Sequence, residues 1–159
     1  MGKYHKPLGG IYLYKIGFIK LSDSEDLPTP KRMSEAASGF DIFAAVPEST
    51  VIQPGERALI PTGFALEMPE GIEAQIRPRS GLAMKHGITL LNTPGTIDSD
   101  YRGEIKIIMI NFGDQPFTIN RGDRVAQMVF LELPKVVLLE KEEISTTQRG
   151  QGGFGHTGI

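Results

Sequence analysis

Residues 72–77 read Ile72-Glu73-Ala74-Gln75-Ile76-Arg77, so apolar and polar side chains alternate strictly along this stretch. Successive side chains of a β-strand point to opposite faces, and a period of two therefore predicts a strand with one buried face. The segment Glu104–Asn111 predicts a longer strand with one fully apolar face. Because the sequence shows little sustained helical periodicity, these two stretches favour an all-β fold.

Further strands are expected at four other places: Phe40–Ala45, Arg57–Leu66, Phe117–Asn120 and Arg124–Leu131. The 19 glycines and 11 prolines among 159 residues exceed the usual share of about 12%, which indicates many turns. Strands at this spacing predict a jelly-roll-like β-barrel. Ser80–Lys85 predicts one short helix, while Val136–Ile144 fits either a strand or a helical turn.

Composition excludes several classes of protein. Lys and Arg number 17 against 19 Asp and Glu, a net charge of −2, so we expect neither a nucleic acid nor a membrane as partner. The absence of cysteine excludes disulfides, thiolate metal sites and a Cys nucleophile. No apolar run approaches the roughly 18 residues of a membrane span. Lys15 interrupts the apolar stretch near the N-terminus, and no cleavage pattern follows, so we expect a cytoplasmic protein.

We divide the chain into an N-terminal extension (residues 1–15), a β-barrel domain (residues 16–144) and a Gly-rich arm (residues 145–159) that we expect to be mobile. The arm has GxGxxG spacing, but a dinucleotide-binding motif must open a helix, and no helical pattern follows here. Arg149 can pair with a phosphate and Phe154 can stack on a base. A flexible tail without a ligand is the alternative.

An anion site is expected within Arg77–Ala83. Pro78 ends the preceding strand, and Ser80 is suited to cap the turn that follows. Exposed N–H groups at that turn, beside Arg79, can bind an anion. An ordinary helix cap with a surface arginine is the alternative.

Leu91–Gly103 reads as a hairpin with an unusually polar inner stretch. Its Asp98 and Asp100 lie on one face of an extended chain, and Asp98, flanked by the apolar Ile97, is suited to act as a general base. Two turn-forming aspartates are the alternative.

Asp41 enters an otherwise apolar strand and therefore needs a partner or a cation. In Gly122–Gln127, structural turn chemistry is the favoured explanation for Asp123 and Arg124. The three histidines, His5, His86 and His156, lack the spacing of metal ligands, so a His-based metal site is not expected.

Taken in the order of the chain, five segments resemble the five motifs of the trimeric deoxyuridine triphosphatase (dUTPase) family. They are the strand around Asp41, Arg77–Ala83, Leu91–Gly103, Gly122–Gln127 and the Gly-rich arm. The most specific matches are Pro78–Ala83 with Lys85–Ile88, Gly95–Gly103, and the terminal Arg149–Gly155. The resemblance extends from about Gly17 to Ile159, nearly the whole chain. It implies a homotrimer in which each site draws motifs from three chains and the C-terminal arm closes over a neighbour's site.

The resemblance also implies the reaction: dUTP is hydrolysed to dUMP and pyrophosphate, with Mg²⁺ on the triphosphate, which keeps uracil out of DNA and supplies dUMP for thymidylate synthesis. Asp98 is then the general base that activates water for in-line attack on the α-phosphorus. Asp41 reaches Mg²⁺ through its water shell. The implied substrate-binding residues are Arg79, Ser80, Gly81, Asn92, Gly95, Thr96, Ile97, Tyr101, Lys106, Gln127, Arg149, Phe154 and Gly155.

Within that set, backbone groups of the hairpin read the edge of uracil, and the cytosine edge leaves buried groups unpaired. Tyr101 packs beneath the deoxyribose and leaves no room for a 2′-hydroxyl. Phe154 stacks on uracil once the arm closes.

One position departs from the family, since His156 stands where the family usually has Ser between Gly155 and Thr157. A protonated imidazole adds charge near the γ-phosphate. We therefore hypothesise that triphosphate affinity rises below about pH 6.5, the unperturbed His pKa.

Three alternatives remain open. A dCTP deaminase shares the barrel and the trimer, but such enzymes carry a catalytic Glu in a differently written third segment, and they release ammonia from dCTP. A non-catalytic trimeric sensor binds dUTP without turnover. A structural jelly-roll protein, such as a capsid subunit, has no need of a phosphate-binding arm.

Overall fold

The computed structural model describes residues 13–153 of the chain. Within this range the chain forms eleven strands and one helix, in the order β1 (Gly17–Lys20), β2 (Phe40–Phe43), β3 (Thr50–Ile52), β4 (Arg57–Pro61), β5 (Phe64–Glu67), β6 (Ile72–Arg77), α1 (Ser80–His86), β7 (Ile88–Leu90), β8 (Gly95–Ile97), β9 (Lys106–Asn111), β10 (Phe117–Ile119) and β11 (Arg124–Glu132). The prediction of an all-β fold is confirmed. The helix is too short to span a membrane.

The strands form four small antiparallel sheets. The largest has the order β2-β11-β6-β8, and the next has the order β4-β9-β7. Two further pairs, β1-β5 and β3-β10, complete the arrangement. Within residues 13–153, no two consecutive strands pair with each other, so every connection crosses to another sheet, as in jelly rolls.

The core consists mainly of aliphatic side chains from the inner faces of these strands. Along β6, Ile72, Ala74 and Ile76 are at most 3% exposed, while the residues between them are half-buried. The predicted alternation of residues 72–77 is therefore confirmed. On the outer face, the Gln75 amide donates to Glu73 at 2.7 Å and accepts from the Arg77 guanidinium at 2.6 Å.

The single strand expected over Arg57–Leu66 is in fact two. The chain turns at Gly63, where φ is 70°, a conformation that favours glycine. A Cβ at Gly63 would also lie 2.4 Å from the Cβ of Ser24. The break sends β4 to one sheet and β5 to another.

Val136–Ile144 forms neither a strand nor a helical turn. The segment is irregular and exposed, and Val136, Val137, Leu138 and Leu139 are between 70% and 93% exposed. Its apolar residues therefore have no core to enter within the described part of one chain.

Arg121 ties the segment after β1 to the turn before β11. Its guanidinium donates two hydrogen bonds to the Asp26 carboxylate, at 3.0 and 2.6 Å, and another to the carbonyl of Asp23. The hydrogen bond from Arg121 lowers the pKa of Asp26, and the same bond raises the pKa of Arg121. This contact fixes the turn from which β11 begins.

Candidate active site

A charged cluster lies where β2, β11 and β6 meet. Asp41, Gln127 and Arg77 are direct cross-strand partners on these three strands. The Asp41 side chain is 14% exposed, and its carboxylate lies 3.0 Å from Nη1 of Arg124 and 3.9 Å from Nε of Arg79. Two guanidinium groups share one carboxylate, so the cluster retains a net positive charge and can bind an anion.

The members of this cluster are held by backbone contacts. Arg79 Nη1 donates to the carbonyl of Arg124 at 2.8 Å, and Gln127 Nε2 donates to the carbonyl of Pro78 at 2.9 Å. A Cβ at Gly39 would lie 2.5 Å from Oε1 of Gln127, so glycine at this position leaves room for the Gln127 amide. These contacts hold the Arg79 guanidinium and the Gln127 amide in place without a ligand.

Helix α1 begins directly beside the cluster. Strand β6 ends at Arg77, before Pro78, as predicted. The cap residue is Arg79, in an extended conformation and without a side-chain capping bond, so the prediction that Ser80 caps this turn is wrong. Ser80 is instead the first helical residue, and it is exposed together with Gly81. The first N–H groups of a helix have no acceptor within the helix and are available to an anion.

The second group of candidate residues surrounds β8. This strand pairs only with β6 among the described strands, and it forms the edge of its sheet. The predicted hairpin over residues 91–103 is therefore wrong as a strand pair. A Cβ on the buried Gly95 would lie 3.5 Å from the Asn92 amide nitrogen, so these two residues adjoin. Thr96 and Ile97 follow along the same edge.

A tight turn follows β8 and carries the candidate base. The N–H of Tyr101 donates to the carbonyl of Asp98 at 3.2 Å, which closes the turn. The Asp98 side chain is exposed. The Tyr101 hydroxyl donates to the carbonyl of Glu104 at 3.0 Å, and Lys106 Nζ lies 3.4 Å from the Glu104 carboxylate. Lys106 is thus linked to Tyr101 through Glu104.

The two groups occupy opposite ends of β6. Ile97 pairs with Ala74 in antiparallel register, so Asp98 is level with Glu73. Arg79 lies six residues after Glu73, beyond the other end of β6. At about 3.3 Å per residue, the backbones of Asp98, the candidate general base, and Arg79 are about 20 Å apart along the strand. Within one chain, Asp98 and Arg79 therefore lie at opposite ends of β6.

Arg149 is exposed, and its Nε donates to the carbonyl of Gly152 at 2.8 Å. Within residues 13–153 it has no contact with either group. Phe154, Gly155 and His156 lie outside the described residues.

Arg124 belongs to the candidate site, although the sequence favours structural turn chemistry as its role. It opens β11 just before a bulge in the pairing with β2. Its position next to Asp41 depends on pairing between strands that are 83 residues apart in the sequence. The only local signal was a charged residue at the start of an apolar strand.

The fold and the two groups define a class: an antiparallel β-barrel with a preformed anion site and an exposed carboxylate suited to acid–base chemistry. Residues 25–158 match the family model described as dUTPase. The chain is 59% identical over 140 residues to the deoxyuridine 5'-triphosphate nucleotidohydrolase of Thermoanaerobacter sp. (strain X514), covering 88% of this chain and 95% of the relative. It is 52% identical over 145 residues to the protein of the same name from Mesorhizobium japonicum, covering 90% of each. The chain belongs to the dUTPase family.

Solved structures agree with this assignment. The dUTPase of Staphylococcus bacteriophage 80alpha with dUPNHPP has a TM-score of 0.81 and 28% identity, covering 91% of this chain and 99% of that one. A mutant dUTPase of phage phi11 of S. aureus, described with a structural Mg(II) ion, has a TM-score of 0.73 and 26% identity, covering 83% and 99%. The predicted jelly-roll-like fold is confirmed.

Proposed function

We propose that this chain hydrolyses dUTP to dUMP and pyrophosphate, with Asp98 as the general base. The observation that carries the proposal is the position of Asp98, one residue after the edge strand β8. One edge of β8 has no partner strand among the described residues, so its backbone groups can hydrogen-bond the uracil edge. A nucleotide whose uracil is bound at this edge would have its phosphates near Asp98.

The step assigned to Asp98 is removal of a proton from water as the water attacks the α-phosphorus. The P–O bond to the β-phosphate breaks, and pyrophosphate leaves with both electrons of that bond. An exposed carboxylate is a weak base in water. Desolvation by the substrate and a closing arm strengthens it. The rest of the catalysis is positioning and neutralisation of charge.

The cluster around Asp41 is assigned to the phosphates. Arg79 and the N–H groups of Ser80 and Gly81 hold phosphate oxygens, with Gln127 beside them. Arg149 adds a further cation from the arm.

The described residues fit an indirect magnesium site. They contain no group of three or more His, Cys, Asp or Glu side chains arranged around a metal ion. Mg²⁺ retains several waters and binds through one or two carboxylates and the substrate phosphates. The single, mostly buried carboxylate of Asp41 suits this mode of binding. The ion, when bound, supplies charge neutralisation at the triphosphate.

We further propose a homotrimer that completes the site. The proposal is supported by the positions of Asp98 and Arg79 at opposite ends of β6, which favour a site built from different copies of the chain. The exposed apolar segment Val136–Leu139 also favours burial against another copy. Closed rings of three identical chains build three equivalent sites from such heterologous contacts.

The first test is pyrophosphate release from dUTP, dCTP, dTTP and UTP with Mg²⁺. We expect release from dUTP alone, and none from an Asp98→Asn variant. Asp114→Asn, at an exposed turn after β9, is the matched control and should retain activity. Ammonia release from dCTP supports a deaminase instead, and tight dUTP binding without turnover supports a sensor.

Mixing two inactive variants tests the shared site. Asp98→Asn and Arg79→Ala affect different ends of β6. After the chains are unfolded together and reassembled in equal amounts, up to about a quarter of the sites combine an intact Asp98 with an intact Arg79 from another copy. Recovered activity supports the shared site, and none at all argues for a site within one chain.

A further inference from the structure

The ring of Tyr101 is folded back over the chain that follows it. Its hydroxyl donates to the carbonyl of Glu104, three residues later, at 3.0 Å. The residue is 46% exposed, so the ring is partly covered by the chain and partly accessible. An aromatic ring held at both its backbone and its hydroxyl is a rigid surface for packing.

Gly103 lies against the hydroxyl end of this ring. A Cβ at Gly103 would lie 2.4 Å from Oη, 2.6 Å from Cζ and 3.0 Å from Cε2 of Tyr101. Carbon atoms in contact are normally about 3.5–4.0 Å apart, so any side chain here displaces the ring by about 1 Å. The φ angle of Gly103 is outside the left-handed region. The ring, and not the backbone conformation, therefore accounts for glycine at this position.

Glu104 holds the acceptor of the tyrosine hydroxyl in place. Its Oε1 accepts a hydrogen bond from the N–H of Gly63 at 2.9 Å, across 41 positions of sequence. Its other carboxylate oxygen lies 3.4 Å from Lys106 Nζ, and the side chain is only 21% exposed. Because the side chain is fixed to the turn between β4 and β5, the Glu104 carbonyl offers Tyr101 a fixed acceptor.

We infer that Gly103 and Glu104 are positioning residues that fix the Tyr101 ring and thereby set discrimination between deoxyribose and ribose in the substrate. This inference rests on the proposed function, in which Tyr101 lies beneath the sugar. A ring at one fixed height excludes a 2′-hydroxyl. A ring that moves by about 1 Å binds the deoxyribose less well and excludes the ribose less strictly.

Kinetics with dUTP and UTP test the inference. For Gly103→Ala and Glu104→Ala, we expect kcat/KM for dUTP to fall by on the order of 10- to 100-fold, as for other misplacements of about 1 Å. kcat/KM for UTP should fall less, so the ratio of kcat/KM for dUTP to kcat/KM for UTP should fall. Glu104→Gln keeps an acceptor for the N–H of Gly63 and should restore the ratio. Glu56→Ala is the matched control, since Glu56 also accepts a backbone N–H, from Gln53 at 3.4 Å.

A second readout is independent of activity. The chain contains four tyrosines, so fluorotyrosine labelling gives a simple ¹⁹F NMR spectrum in which Tyr101→Phe assigns the Tyr101 signal. We expect this signal to move in Gly103→Ala and Glu104→Ala, and to stay in place in Glu104→Gln.

The outcomes separate the inference from the proposed function. An unchanged dUTP to UTP ratio in an active Glu104→Ala protein overturns the inference, even if Gly103→Ala fails to fold. An unmoved Tyr101 signal overturns it as well. If the unmodified protein does not hydrolyse dUTP, the proposed function fails. The role of Tyr101 in selecting the sugar then fails with it, and the NMR signal alone decides whether the two residues position the ring.

Discussion

Asp41 restrains the two arginines of the anion site, so removing its charge should strengthen anion binding without magnesium and abolish the response of that binding to magnesium. In Asp41→Asn, the carboxylate 3.0 Å from Arg124 and 3.9 Å from Arg79 becomes a neutral amide. Arg79 keeps its hydrogen bond to the carbonyl of Arg124, so the guanidinium remains in place. We expect metal-free pyrophosphate to bind more tightly and the response to Mg²⁺ to be lost.

The size of the effect follows from the geometry. Asp41 repels an anion bound to the two arginines, and two unit charges about 4 Å apart interact by about 4 kcal/mol near a protein surface and by about 1 kcal/mol in bulk water. Arg124 is 41% exposed, so solvent screening places the effect towards the lower figure. A gain of about 1–2 kcal/mol corresponds to pyrophosphate binding that is about 5- to 30-fold tighter.

Titration calorimetry with pyrophosphate, with Mg²⁺ and with a chelator, measures both effects in one protein. Asp26→Asn is the matched control, because Asp26 also pairs with an arginine but lies outside the anion site. Its pyrophosphate affinity should equal that of the unmodified chain. Weaker or unchanged metal-free binding in Asp41→Asn would refute the reasoning, since the arginines would then not be the anion site that Asp41 restrains.

Three further predictions concern stability and pH. Asn111 is fully buried and its amide donates to two backbone carbonyls, at 2.9 and 2.8 Å. Asn111→Asp should therefore lower the free energy of unfolding at pH 7 by about 2–6 kcal/mol, at about 1–3 kcal/mol for each lost bond. Acid should restore part of this lost stability, as measured by denaturant titration. Arg121→Ala removes the hydrogen bond that lowers the pKa of Asp26. The stabilisation from the Asp26–Arg121 pair is present above the pKa of Asp26 in the unfolded chain, and it is lost as the pH falls through the lowered pKa of Asp26 in the folded chain. The difference in Tm between Arg121→Ala and the unmodified chain should therefore shrink below about pH 4. A constant difference contradicts this. KM for dUTP should fall below about pH 6.5 in the unmodified chain but not in His156→Ser, and the same drift in both would exclude His156 as its cause.

Local patterns predicted most of the strands. The alternation in residues 72–77 sufficed for β6, because burial of one face alone decides it. The break between β4 and β5 was not predictable from the same pattern. It depends on Gly63 approaching Ser24, a contact between distant segments. Val136–Leu139 is apolar but exposed in one chain, so its conformation depends on contacts that a local pattern does not contain.

The candidate site was predictable where a motif is contiguous and not where it arises from strand pairing. The positions of Arg79 and Ser80 follow from the proline that ends β6 and the short helix after it. The role of Ser80 as a cap did not follow, because Arg79 takes that position. Arg124 joins Asp41 only because β11 pairs with β2. Lys106 was expected among the substrate-binding residues from the resemblance alone, and its described partner is Glu104.

The division of the site between the two ends of β6 has a consequence for regulation of activity. One strand orients both groups, since Thr96 pairs with Gln75 at its centre and Gln127 pairs with Arg77 at its end. Within one chain the two groups therefore stay at opposite ends of β6 while the sheet is paired. In the proposed trimer, opposite ends of β6 from neighbouring copies would meet at no cost in strand pairing. Activity in the proposed trimer then requires assembly, and dilution below the dissociation constant of the trimer should abolish turnover while each barrel remains folded.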